Sequence, residues 1–288
     1  MHSMKRNLIF IIFTVLALGA CSPAIELPIV EEEAEPTDVV GEETFEVQST
    51  ASLVEPSIRS LDPEKDQFGQ EAFVFTTSSG EEIQYLLYLP ENIDEVESAA
   101  VMLFLHGTGD NGSNIDDLRD GTPLAWAETI GTFPFIVIAP QLPSGFWGKY
   151  FEPTYELIDF LAETLPIDTE SIILTGYSRG GYGSWGYALA DPERYAALVP
   201  VAGGPSISAS ELVPADICEL NKLQIWIFHG DEDGIVPITS NLESAEALKN
   251  CGNDSILFTI YEGQNHNGTW QMAYADSALY AWMLEQVK

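Results

Sequence analysis

Downstream of residue 68 the chain alternates short, dense apolar runs with longer stretches in which apolar residues recur every three or four positions. The runs at 72–76, 83–89, 99–105, 135–139, 171–175, 198–201, 223–228 and 256–261 have strand length and are rich in Val, Ile, Leu and Phe. Helical periodicity occupies 123–130, 154–164, 180–190, 239–250 and 270–286. Ser78-Ser79-Gly80 is a turn signal that predicts a hairpin between the first two runs. The pattern predicts one α/β domain over residues 68–288, a mostly parallel eight-stranded sheet with helices on both faces.

The first 67 residues follow another pattern. Lys5 and Arg6 precede an almost unbroken apolar run at 8–18, too short to span a bilayer comfortably, which predicts an export signal over residues 1–20. The run leads into Leu18-Gly19-Ala20-Cys21, which resembles the lipobox of bacterial lipoproteins. That resemblance implies acylation of Cys21 and anchoring to the bacterial cell envelope, with several acyl chains holding more firmly than one. Residues 22–67 hold thirteen acidic residues, two basic residues and five prolines, with no sustained hydrophobic period. Such a segment buries too little apolar area to offset its ordering entropy, so residues 21–67 are expected to form an acidic tether outside the cytoplasm.

Charge narrows the functional classes. Eleven Lys and Arg stand against 45 Asp and Glu, a formal net charge of −34, and a polyanion of this size is repelled by phosphate backbones. Nucleic acid is therefore excluded as an expected partner. A hydrophobic content of 45% still places the chain in the globular range.

The chemistry concentrates at Gly176-Tyr177-Ser178-Arg179-Gly180, between a predicted strand and a predicted helix. A serine on a tight strand-to-helix turn needs small neighbours, and the turn exposes its hydroxyl beside a helix N-terminus that favours negative charge. Serine is a weak nucleophile without a base, and this topology calls for the order Ser, acid, His. His266 is the histidine that follows Ser178 in a loop after the last strand. For the acid, the loop after 223–228 offers Asp231, Glu232 and Asp233.

These segments resemble bacterial α/β-hydrolases of the predicted-peptidase, phospholipase/carboxylesterase and dienelactone-hydrolase-like group. The likeness runs from about Phe75 to Met283 through His106-Gly107, the Ser178 turn continued by Gly181-Tyr182-Gly183-Ser184-Trp185, the stretch from His229-Gly230 through Asp233 to Val236-Pro237, and His266. The resemblance implies the α/β-hydrolase fold and selects Asp233 as the acid. It also sets Thr108 beside the Arg179 N–H as the second oxyanion donor. The family often carries a tryptophan three residues after the base, whereas Trp270 lies four beyond His266.

Remaining residues have plainer expectations. His106 and His229 are expected to brace loops, and Trp185 and Trp226 to pack the core. Phe146 and Trp147, in a Gly-flanked loop, are expected either to contact substrate or to pack the loop as a lid, with Trp270 a further candidate for substrate contact. Cys218 and Cys251 fall near one sheet edge of an exported chain and are expected to form a disulfide. The acidic group Asp110, Asp116, Asp117 and Asp120 lacks the spacing of a calcium loop, no Cys pair has zinc spacing, and no metal or cofactor is expected. Together these features predict a serine hydrolase cleaving carboxylic esters, acylated carbohydrate and aryl esters among them. A serine peptidase or amidase and a non-catalytic binding lipoprotein are the alternatives.

Overall fold

The structure, a computed structural model, describes residues 69–119, 123–130, 133–207 and 212–287. The expected leader, Cys21, the tether and Asp120 lie outside the described residues. Eight strands form one sheet: β1 (Gly69–Thr76), β2 (Glu82–Leu89), β3 (Ala99–Leu105), β4 (Ile136–Pro140), β5 (Ile167–Tyr177), β6 (Ala197–Val201), β7 (Gln224–Gly230) and β8 (Leu257–Tyr261). Among the described residues six α-helices accompany them: α1 (Pro123–Ile130), α2 (Phe151–Thr164), α3 (Arg179–Ala190), α4 (Thr239–Asn250), α5 (His266–Ala275) and α6 (Ser277–Gln286). The strand order is β1-β2-β4-β3-β5-β6-β7-β8. β1 and β2 form the antiparallel entry, β2 meets β4 antiparallel, and the rest run parallel.

The parallel strands separate two apolar layers. On β5, Ile172 and Leu174 face the layer that contains Leu157 and Leu161 of α2, Trp185 of α3 and Leu248 of α4. Ile173 faces the opposite layer, with Leu124 of α1, Tyr274 of α5 and Met283 of α6. Both faces of β3 and β4 are thus covered, which is why their sequences lack alternation. Truncating a side chain such as Leu174 to Ala in this layer is expected to cost about 2–5 kcal/mol.

Among the boundaries that depart from the sequence expectation, three are instructive. β5 begins at Ile167 rather than 171, because the polar stretch Asp168-Thr169-Glu170 extends the strand while staying partly or fully exposed. α2 begins at Phe151 because Pro153 falls in its first turn, where the missing N–H costs nothing. The single helix expected over 270–286 is two helices, broken where the Asp276 side chain accepts from the Ala278 N–H at 2.9 Å and caps α6. α5 starts at His266, in the stretch expected to be a loop, because the Asn265 side chain caps it.

Cys218, in a turn at Ile217–Leu220, is bonded to Cys251 at the end of α4, with Cα atoms 5.4 Å apart. Closing this loop contributes about 3–4 kcal/mol on a chain-entropy account. Trp185 is fully buried, and Trp226 packs on Phe228 and Trp282.

Candidate active site

The carboxyl ends of β3, β5, β6, β7 and β8 converge on one edge of the sheet, where open α/β sheets bind ligands. Ser178 follows β5 with φ 54° and ψ −117°, a backbone state that a non-glycine residue holds only when its surroundings impose it. The Ser178 N–H donates to Val201 O at 2.9 Å, and Ser178 O accepts from the Tyr182 N–H at 3.1 Å. The flanking glycines are required by space. A Cβ on Gly176 would lie 2.4 Å from Gly180 O, and one on Gly180 would lie 1.7 Å from Leu105 O. The start of α3 is therefore pressed against the end of β3.

His266 opens α5, capped by Asn265, whose Oδ1 accepts from the Gly268 N–H at 3.0 Å. Its Nδ1 lies 2.7 Å from Asp233 Oδ2 and its Nε2 lies 2.8 Å from Ser178 Oγ. A carboxylate can only accept, so Nδ1 carries the proton and Nε2 is left to accept from the serine hydroxyl. Asp233 is fully buried at its side chain, and its Oδ1 accepts from the N–H groups of Ile235 and Val236, each at 2.9 Å. Of the three carboxylates in this loop it is the one that meets His266. Asp231 instead accepts from the Gly263 N–H at 2.7 Å, and Glu232 is exposed.

Thr108 opens a short turn, Thr108–Asp110, at the end of β3. The Tyr177 hydroxyl donates to Asp110 Oδ2, and a Cβ on Gly107 would strike the Tyr177 ring at 2.5 Å, so this turn is tied to the residue before the nucleophile. Burial pushes the Asp110 carboxyl up, against the opposing pull of the Tyr177 hydrogen bond. The Tyr177 ring stacks on Trp270 at 5.0 Å, which makes Trp270 a half-buried support for that tie rather than a free wall. Nothing in the sequence signalled the Tyr177–Asp110 contact.

Of the two roles expected for Trp147, the packing role is the one visible: it is 2% exposed and packs edge-on against His106, with its Nε1 donating to His106 O at 3.1 Å. A tight turn at Trp147–Lys149 drives the indole inward over Gly183, where a Cβ would meet it at 2.7 Å. Phe146 stays 56% exposed, with the Arg179 guanidinium 5.0 Å above its ring and Arg179 Nη1 donating to Gly145 O at 2.8 Å. Phe146, Phe151, Tyr182, Gly186, Ile207 and Arg179 border a cavity of about 160 Å³ beside the first turns of α3, with Trp147 in its floor. Among the described residues no group of acidic, His and Cys side chains could hold a metal ion.

Two buried histidines flank the triad. His106 donates from Nδ1 to Gly107 O at 2.7 Å and accepts at Nε2 from the Leu142 N–H at 2.8 Å; desolvation pushes it down to about 4. His229 Nε2 lies 2.9 Å from Val236 O and 3.3 Å from Asp233 Oδ2, while its Nδ1 lies 2.8 Å from Asn241 Nδ2. Burial lowers its affinity for a proton as well. The Asn241 contact carried no sequence signal, since an isolated Asn on a helix is usually solvated.

Residues 148–282 match the model of the Phospholipase/Carboxylesterase family. The chain is 26% identical over 167 residues to a probable feruloyl esterase C of Aspergillus clavatus, covering 57% of this chain and 59% of that protein. It is 25% identical over 197 residues to acyl-protein thioesterase 1 of Saccharomyces cerevisiae, covering 58% of this chain and 85% of that one. Among solved structures, a thermostable esterase aligns with a TM-score of 0.65 at 26% identity, over 77% of this chain and 64% of its own. S-formylglutathione hydrolase of Staphylococcus aureus aligns at 0.57 and 17% identity, over 77% of this chain and 99% of its own. With the sheet order, the strained Ser178 turn and these alignments in hand, the chain has the α/β-hydrolase fold.

Proposed function

We propose that the protein is a serine esterase that cleaves carboxylic esters through an acyl-enzyme on Ser178. The observation that carries this reading is the hydrogen-bonded line from Ser178 Oγ through His266 to Asp233, at 2.8 and 2.7 Å. Ser178 Oγ attacks the acyl carbonyl while His266 Nε2 takes its proton. The oxyanion forms between the Arg179 and Thr108 N–H groups, and His266 returns the proton to the departing alcohol. Water then repeats the sequence to free the acid. Asp233 keeps the proton on Nδ1 and stabilises the imidazolium.

For the substrate we propose a small-molecule ester with an aromatic acyl group, including acylated carbohydrates. The cavity bordered by Phe146 and Phe151 matches in size the roughly 150 Å³ space that accepts one benzene ring. Similarity to a feruloyl esterase supports the same choice. We also propose export and a lipid anchor on Cys21; the Cys218–Cys251 disulfide supports an oxidising compartment. Loss of membrane association in Cys21→Ala is the corresponding test.

Matched ester and amide pairs test the central reading. An amide leaving group needs well-timed protonation, whereas an aryl ester asks less of His266, so esters are expected to show the higher kcat/KM. Amide turnover at or above ester turnover promotes the peptidase reading. Failure of a fluorophosphonate probe to label Ser178 removes both and leaves a binding protein.

A further inference from the structure

Behind the acid lies a second layer of side chains whose protons are fixed by a single carbonyl. Asn241, in the first turn of α4 and fully buried, has its Nδ2 at 3.0 Å from Gly203 O and 2.8 Å from His229 Nδ1. A carbonyl oxygen can only accept, so the amide nitrogen, not its oxygen, must face Gly203. The second amide hydrogen then points at His229 Nδ1, which must accept. The imidazole proton is thereby confined to Nε2, where it lies between Val236 O at 2.9 Å and Asp233 Oδ2 at 3.3 Å. His229 is wholly buried, and desolvation keeps it neutral, so it offers the carboxylate a donor without a competing charge.

On the reading of Ser178, His266 and Asp233 as the catalytic triad, we propose that Asn241 and His229 form a positioning pair that selects the His229 Nε2–H tautomer and thereby holds the Asp233 carboxylate in line with His266. Each member has one task. Gly203 O orients the amide, the amide sets the tautomer, and the imidazole N–H bonds Val236 O at 2.9 Å and lies 3.3 Å from Asp233 Oδ2, while the Ile235 and Val236 N–H groups hold Asp233 Oδ1. Gly203 also packs on Ser178, where a Cβ would lie 2.6 Å from Ser178 O, so the pair and the nucleophile rest on the same piece of backbone. A residue that merely filled space would not need a defined proton position.

The test uses the whole protein with 15N-labelled histidine, which carries only four such residues. Wild-type His229 is expected to show the Nε2–H pattern, and the proton shared by His266 and Asp233 to give a low-field resonance. Asn241→Leu removes both amide donors; His229 is expected to lose its tautomer preference and the low-field resonance to shift or broaden. With an aryl ester, kcat should fall about tenfold with KM within about twofold, the loss of roughly one hydrogen bond's worth of alignment. His229→Gln retains an N–H and should keep most of the activity, whereas His229→Leu should behave like Asn241→Leu. An Nδ1–H tautomer in the wild type overturns the proposal. So does equal activity of His229→Gln and His229→Leu, or an unshifted low-field proton in folded Asn241→Leu. Because the resonances are read without turnover, an absence of ester cleavage counts against the esterase reading alone.

Discussion

β3 and β7 run into the same dipeptide, His106-Gly107 directly after β3 and His229-Gly230 at the end of β7. Both imidazoles are fully buried, and burial lowers the proton affinity of each. Both glycines admit another segment at close range: a Cβ on Gly107 would meet the Tyr177 ring at 2.5 Å and one on Gly230 would meet Gln264 O at 2.1 Å. The ring nitrogens part company. His106 spends both on backbone, bonding Gly107 O and the Leu142 N–H, and so holds the loop that ends in Phe146 and Trp147. His229 spends its nitrogens on Asn241 at one side and on Val236 O and the acid at the other. One strand-end histidine braces the wall beside the nucleophile, the other faces the charge behind the base, and the His-Gly dipeptide is the same for both.

The largest effects belong to the triad whose acid the β7 side supplies. Ser178→Ala and His266→Ala are each expected to lower kcat by about three to six orders of magnitude, and the double variant should be little worse than either, since the two act as a unit. Asp233→Asn should cost about three to four orders by donating to His266 where it must accept. Asp231→Asn keeps its acceptor for the Gly263 N–H and should stay within about threefold. Steady-state turnover of an aryl acetate reads all four. Equal damage from Asp231→Asn and Asp233→Asn breaks the assignment of the acid.

Next comes the β3 side, where stability rather than chemistry should respond. His106→Leu leaves the buried Leu142 N–H without its acceptor and should cost about 1–3 kcal/mol. The pH dependence has a definite sign. The folded-state pKa of His106 is lowered from 6.5 to about 4, so the unfolded chain binds more protons in that window. The stability contributed is fully present above 6.5 and is lost as pH falls toward 4. Urea midpoints across this range should decline in the wild type and decline less in His106→Leu. A parallel decline in both proteins would falsify the assignment of the slope to His106.

How far the sequence reveals this depends on the range of the interaction. Dense Val, Ile and Leu runs mark the central strands because a strand covered on both faces has no polar side to display. The break between α5 and α6 carries no Gly or Pro, only Asp276 acting as a cap, so periodicity runs straight through it. Chain order and the Ser178 turn narrow the base to His266, whereas loop position alone leaves three adjacent carboxylates equivalent; the family resemblance selects Asp233, and the fold turns it inward while leaving Glu232 outside. Trp147 sits in a Gly-flanked loop, where sequence leaves substrate contact and packing equally open; its burial follows from a space left by Gly183, thirty-six positions away. The Asn241–His229 contact joins two elements through a carbonyl of a third, a relation no local pattern encodes.

The smallest expected effect tests whether the loop that His106 braces serves the substrate. Phe146 is held at the mouth of the cavity by the Arg179 guanidinium above its ring and by the bond from Arg179 to Gly145 O. An aromatic acyl group entering beside Ser178 would gain one ring-to-ring contact there, worth about 0.5–1.5 kcal/mol beyond its buried area. An acetyl group reaches no ring and gains nothing. Phe146→Ala should therefore raise KM for an aromatic acyl ester by about three- to tenfold while leaving acetate ester kinetics within about twofold. Because the ring is 56% exposed, its removal should leave the urea midpoint almost unchanged, which separates it from His106→Leu. Measuring kcat and KM for matched aromatic and acetyl esters of one alcohol isolates the acyl side. An equal loss on both esters, or none on either, moves the aromatic group away from Phe146 and leaves His106 bracing a wall that substrate does not touch.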